Sequence, residues 1–186
     1  VCDAPPAPVS TPVTDFDPRR WLTAKEVRRS DPFARYAVAA SRLALADADL
    51  TPDAVSPTRS GVILGTVYGA LESFDAEATV MAAEGPEAVS PFLTAASCEN
   101  AAPAMVSADL GWRGPSKVIV SACASGTHAV ADGADLIRSG RCTTVLAGGT
   151  QGAITPLLMA AYRNLRVLSN YWEQVRHGYA AFESDM

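Results

Sequence analysis

The sequence contains no stretch approaching the roughly 18 uninterrupted apolar residues that a membrane-spanning helix requires, although 48% of its 186 residues are apolar. No membrane span is expected. It also lacks a basic block. Fifteen Lys and Arg face twenty Asp and Glu, for a net charge of -5, and neutralising phosphates needs clustered cations, so nucleic acid is not the expected partner. The opening residues, VCDAPPAPVSTPV, carry neither the basic start nor the apolar run of a signal peptide. Because the chain opens on Val1 instead of Met, residues upstream are expected. Its four cysteines, Cys2, Cys98, Cys123 and Cys142, form no C-x-x-C pair, and neither of its two histidines, His128 and His177, stands at metal-ligand spacing. Neither a zinc site, nor any other metal site, nor a disulfide framework is indicated, and a reducing cytoplasm fits such cysteine usage. There is no tandem repeat.

What remains is an ordinary globular chain with 19% charged residues, long enough for one domain with a sizeable core. Residues 1–14, rich in Pro, Ser and Thr, read as an extended lead-in. Residues 31–50 place Phe33, Tyr36, Ala37, Ala40, Leu43 and Ala44 at helical spacing behind Ser30 and Asp31 as candidate caps and Pro32 in the first turn. SGVILGT, from Ser60, has the short apolar run of a buried strand. Helical patterns return in ALESFDAEATVMAAEG and in ENAAPAMVSADLG, where Pro103 belongs to the first turn. Then follow a strand in SKVIVSA, a helix in SGTHAVADGADLIRSG closed by Gly140, a strand in TTVLAGG and a helix in TPLLMAAYRNLRVLS. Strand, helix and strand in that order are a βαβ unit, which builds parallel sheet through a right-handed crossover. The class is α/β. Residues 170–186 show no clear period.

VIVSACASGTHAV, residues 118–130, sets Cys123 where a strand turns into a helix. A thiol is a nucleophile as its anion, and a helix N-terminus offers unpaired backbone N–H groups and an aligned dipole to such an anion. Ala122, Ala124, Ser125 and Gly126 are small enough to let a substrate carbonyl approach, and the turn's N–H groups could hold an oxyanion. The pattern suits acyl transfer through a thioester. It equally suits a small buried thiol, which is also how Cys2, Cys98 and Cys142 read. His128 lies about one and a half turns from Cys123 on a different helix face, which points to packing or hydrogen bonding and not to proton exchange with the thiol. His177 lies in the unpatterned tail.

GPSKVIVSACASGTHAVADGADLIRSGRCTTVLAGGTQGAITPLLMAAYRNLRVLS resembles the nucleophile region of the β-ketoacyl-acyl-carrier-protein synthases, in particular the elongating type and the ketosynthases of type II polyketide systems. DFDPRRWLTAKEVRRSDPFARYAVAASRLALADADL, SGVILGTVYGALESF and VSPFLTAASCENAAPAMVSADLGWRGPS follow the family's order, so the resemblance covers roughly residues 14–169.

The resemblance implies a thiolase-like fold, layered α-β-α-β-α, with residues 1–186 forming the family's N-terminal-half domain around a mostly parallel sheet. It implies an acyltransferase that condenses carrier-bound acyl chains with malonyl units in fatty-acid or polyketide synthesis. Cys123 would be the acylated nucleophile and would supply one oxyanion donor from its own N–H. Tyr68 would gate chain length, Tyr162 would stand beside the nucleophile, and Leu93 would lie where a dimer partner closes the pocket. The implied partners are an acyl carrier protein, whose phosphopantetheine arm delivers the substrate, and a second subunit in a homodimer or ketosynthase heterodimer; no bound cofactor is expected. The family's two catalytic histidines lie in its second half, in His-Gly-Thr and Gly-His turns that this sequence does not contain. Two other readings stand beside this one. One is a non-catalytic, chain-length-factor-type partner that shapes the acyl tunnel, although such subunits typically replace the nucleophile. The other is a cysteine acyltransferase or hydrolase with His177 as base. Arg19, Arg20, Lys25, Arg28 and Arg29 form a local basic cluster that suits an acidic carrier and equally suits a solvated helix face.

Overall fold

A computed structural model describes residues 13–168. The chain divides into two compact units, one of residues 17–153 and the other drawing its described residues from 13–16 and 154–168.

The larger unit begins with a short 3-10 turn and then α1 (Ala24–Arg28). A reciprocal cap starts α1: Glu26 N–H donates to the Thr23 hydroxyl, and Thr23 N–H donates to the Glu26 carboxylate. Helix α2 (Pro32–Asp47) starts with Pro at its first position and Asp31 as its cap, accepting from Phe33 N–H. Asp31 is buried, and its second oxygen accepts from Ser73 N–H in the first turn of a later helix. One carboxylate therefore ties two helix starts together.

Strand β1 (Ser60–Gly65) is buried at all six positions. It is followed by α3 (Leu71–Glu84), stopped at Gly85-Pro86, by the single turn α4 (Leu93–Ala96), and by α5 (Ala101–Leu110), stopped at Gly111 in the left-handed conformation. Pro103 sits in the first turn of α5, where its missing N–H costs no helical hydrogen bond. Strand β2 (Ser116–Ile119), helix α6 (Ser125–Arg138) and strand β3 (Thr144–Gly149) complete the unit.

All three strands are parallel, in the order β2-β1-β3. The β2-α6-β3 unit therefore straddles β1 without pairing its own two strands. A strand between two others must read as apolar on both faces, and β1 does. Val62 and Leu64 face a core with Phe33, Ala37 and Val38 of α2 and Ala102 and Val106 of α5. Ile63 points the other way, into a smaller core with Ala129 and Leu136 of α6 and with Cys142. The period of two thus makes three layers, helix on sheet on helix. Burying a side chain such as Phe33, which has no exposed surface, contributes about 2–3 kcal/mol.

Two elements are shorter than their sequence patterns predict. The apolar run of β2 continues to Val120, yet the strand ends at Ile119 because the next residues turn away: Ser121 N–H donates to the Ser125 hydroxyl and Ala122 has a φ of 51°. In the smaller unit, α7 (Pro156–Asn164), capped by Thr155 accepting from Leu158 N–H, ends well before Ser169. Arg166, with a φ of 59°, closes it in the left-handed conformation. Among the described residues, no helix is long and apolar enough to cross a membrane.

Candidate active site

Ligand sites in parallel sheets form at the C-terminal ends of the strands. Here that edge carries three exits, at Gly65, Ile119 and Gly149, which the register sets side by side: Gly65 pairs with Ile119 on one flank and with Gly149 on the other. Cys123 leaves from β2, the turn bearing Tyr68 leaves from β1, and Gln151 leaves from β3.

The Cys123 turn is a tight elbow. Ala122 adopts the left-handed conformation, which costs a residue with a Cβ about 1–2 kcal/mol and is held only if its surroundings compel it. Ser125 does so. Its hydroxyl donates to Ala122 C=O at 2.6 Å and accepts from Ser121 N–H at 2.9 Å, and Ser125 is itself buried. Backbone bonds from Ala124 N–H to Ser121 C=O and from Ser125 N–H to Ala122 C=O close the same loop. The result presents Cys123, exposed and unpaired, just before the first turn of α6.

Glycines let α6 approach the sheet backbone to backbone. A Cβ at Gly65 would fall 2.3 Å from the carbonyl carbon and oxygen of Ser125 and 2.6 Å from Gly126 N. Gly126 and Gly149 likewise face each other, with a Cβ on Gly149 reaching 3.2 Å from the Gly126 Cα. The first turn of α6 is thus pressed onto the ends of β1 and β3. That contact fixes the height of Cys123 above the sheet edge.

His128 Nδ1 lies 2.8 Å from the Ser121 hydroxyl. It serves the elbow through a hydrogen bond, as its helical position predicts. Among the described residues no group of three His, Cys, Asp or Glu could hold a metal ion.

The other expected site residues are spread out. Tyr68 sits on the turn after β1, on the same sheet edge as Cys123, and is 40% exposed. Leu93 opens α4 and lines a cavity of about 210 Å³ with Val27, Arg35 and Phe92. Above Phe92, the Arg29 guanidinium lies 4.5 Å from the ring centre. Tyr162 belongs to α7 in the smaller unit. Arg19, Arg20, Lys25, Arg28 and Arg29 are all exposed. Cys142 is buried, as its sequence context suggests, whereas Cys98 is exposed and donates weakly to Thr94 C=O. Cys2 and His177 lie outside the described residues. Sequence patterns gave no sign of Ser125 as the latch of the elbow or of Gln151 as a partner of the Tyr68 turn, because neither role follows from periodicity.

The family pattern described as "Beta-ketoacyl synthase, N-terminal domain" matches residues 5–183. The chain is 35% identical over 173 residues to a 3-oxoacyl-[acyl-carrier-protein] synthase 2 from a Synechocystis species, covering 93% of this chain and 42% of that protein. It therefore spans about two fifths of that relative's length. Among solved structures, the ishigamide ketosynthase/chain length factor superposes with a TM-score of 0.78 at 29% identity, over 84% of this chain and 39% of the other. A type II polyketide synthase acyl-carrier protein in complex with its ketosynthase bound to the hexaketide gives a TM-score of 0.77 at 23% identity, over 84% and 44%. The α/β, thiolase-like layering expected from the sequence is the fold of these neighbours.

Proposed function

The chain belongs to the β-ketoacyl synthase family, as its N-terminal domain, and from that membership we propose that Cys123 accepts an acyl chain from a carrier protein for condensation with a malonyl unit. The observation that carries this reading is the exposed thiol on a latched elbow at the start of α6. In the loading step the Cys123 thiolate attacks the thioester carbonyl of the carrier-bound chain. A carbon–sulfur bond to Cys123 forms, the bond to the phosphopantetheine sulfur breaks, and the departing thiolate takes up a proton. The tetrahedral oxyanion between these events meets the backbone N–H of Cys123 itself. In the second step a malonyl thioester loses carbon dioxide, its carbanion attacks the Cys123 thioester, and the thiolate is released.

His128 is bound to Ser121 and serves the elbow. Proton handling in the condensation falls to histidines that the family carries in its second half, beyond the part matched by this chain. Tyr68, on the same sheet edge, limits or bends the acyl path; by family position Leu93 stands where a second subunit of a homodimer or heterodimer closes the pocket, and Tyr162 takes the family's gate position. The carrier is acidic and reaches the exposed basic cluster from Arg19 to Arg29, so its affinity falls as salt rises. A reducing cytoplasm keeps the exposed thiol free.

The test is Cys123→Ala in the natural full-length protein. Loss of condensation with unchanged folding is expected. Full activity of the variant in complex with a complete ketosynthase would instead make this chain a non-catalytic partner.

A further inference from the structure

One side chain joins two of the three strand exits. Gln151, two residues past β3, presents its Oε1 to three donors of the turn after β1: the Thr66 hydroxyl at 2.9 Å, Val67 N–H at 3.1 Å and Tyr68 N–H at 3.1 Å. Its Nε2 donates to Gly69 C=O at 3.4 Å. Two backbone N–H groups facing one atom require that atom to be oxygen, which settles the orientation of the amide.

The Thr66 hydroxyl, besides donating to Gln151, accepts from Gly69 N–H at 3.3 Å, and Gly69 has a φ of 52°. Thr66 is 3% exposed, so water cannot readily replace a lost partner there. Gln151 is itself firmly mounted. Its neighbour Thr150 donates its N–H to Gly65 C=O at 2.9 Å and its hydroxyl to Phe33 C=O at 2.6 Å. The clamp therefore runs from the frame of β1 and α2, through Gln151, to the backbone of the residue that carries the Tyr68 ring.

We propose that Gln151 is a positioning residue for acyl-chain selection: by fixing the Thr66–Gly69 turn it sets the place of Tyr68, and with it the chain length that Cys123 takes up. This rests on the reading of Cys123 as acyl acceptor and of Tyr68 as a pocket residue. Gln151 touches neither thiol nor substrate in this scheme and acts only through the turn.

The experiment uses the natural full-length protein and a graded series of saturated acyl chains on one carrier protein. Gln151→Ala is expected to change the ratio of Cys123 acylation rates between short and long chains about tenfold, while the reaction of Cys123 with a small alkylating agent stays unchanged. Gln151→Glu keeps an oxygen before the three donors but loses the donation to Gly69 C=O, and its ratio is expected to lie between those of wild type and Gln151→Ala. Should Gln151→Ala fail to fold, Thr66→Val removes one donor at nearly constant volume and is expected to move the ratio in the same direction. An unchanged ratio, or an equal loss at every chain length, overturns the proposal. Amide hydrogen exchange at Val67 and Tyr68 examines the clamp without acyl chemistry: faster exchange in Gln151→Ala supports it, and unaltered protection refutes it. Absence of Cys123 acylation in the wild-type protein would remove the functional reading, and the exchange result would still decide the clamp.

Discussion

Helix α6 has a cysteine beyond each of its ends, and the two thiols occupy opposite surroundings. Cys123 precedes the first turn, is exposed, and is held out by a left-handed residue and a serine latch. Cys142 follows the last turn, is 2% exposed, and packs with Ile63, Ala129 and Leu136. Its backbone N–H donates to Leu136 C=O, and its Sγ would lie 3.3 Å from a Cβ placed on Gly61. The same residue type is a packing unit at one end of the helix and a candidate nucleophile at the other. What separates them is the elbow. At the N-terminal end the elbow holds the thiol at the surface, whereas Cys142 lies in the core where the chain re-enters the sheet.

The contrast breaks most completely at Gly65. Gly65→Ala would drive a methyl group into the backbone of Ser125, where neither partner is a flexible side-chain end. A loss of about 3 kcal/mol or more in denaturant unfolding is expected, with Cys123 no longer presented. Gly148→Ala is the matched control, since nothing lies within 4 Å of a Cβ there; its stability should stay within about 0.5 kcal/mol of wild type.

Ser125→Ala sharpens the comparison more gently. It removes two hydrogen bonds that hold the strained Ala122, and the expected cost is about 1–2 kcal/mol. Hydrogen exchange at Ser121 N–H should accelerate while Cys142 stays protected, so the two ends of α6 respond separately. Equal loosening at both ends would mean that the elbow has no local identity.

The smallest effect belongs to Thr23→Ala at the cap of α1, outside both regions. Loss of that cap should cost about 0.5–1 kcal/mol and leave the reactivity of Cys123 unchanged. The side-chain hydrogen bond from the Thr23 hydroxyl, followed by the bond from Thr23 N–H, holds the Glu26 carboxyl below its ordinary value. Its stabilisation is therefore present above the ordinary carboxylate range and fades as pH falls through the lowered value. Because Glu26 is exposed, solvent screening keeps the pH-dependent part small. It is read as the difference between wild-type and Thr23→Ala unfolding curves across acidic pH.

Local pattern revealed most of the elements. The helices at 32–47, 71–84, 101–110 and 125–138 and the strand at 60–65 follow from spacing, caps and closing glycines within each segment. Sheet order was hidden, because nothing in the β2-α6-β3 segment says that β1, more than fifty residues upstream of β2, lies between its strands. The end of β2 was hidden too: Val120 extends the apolar run, while the bonds that end the strand come from Ser125. Cys123 stood out as a candidate because its small neighbours and its place before a helix are local features. Gln151 did not, since its four partners are more than eighty residues away in sequence and none of them leaves a mark on its own segment.

The most direct test is to incubate the natural full-length protein with an acyl-carrier thioester and map the adduct by peptide mass spectrometry. Acylation at Cys123, with Cys98 and Cys142 unmodified, is the predicted result. An intact, folded sample that carries no acyl group on Cys123, or carries it on another cysteine, would contradict the account.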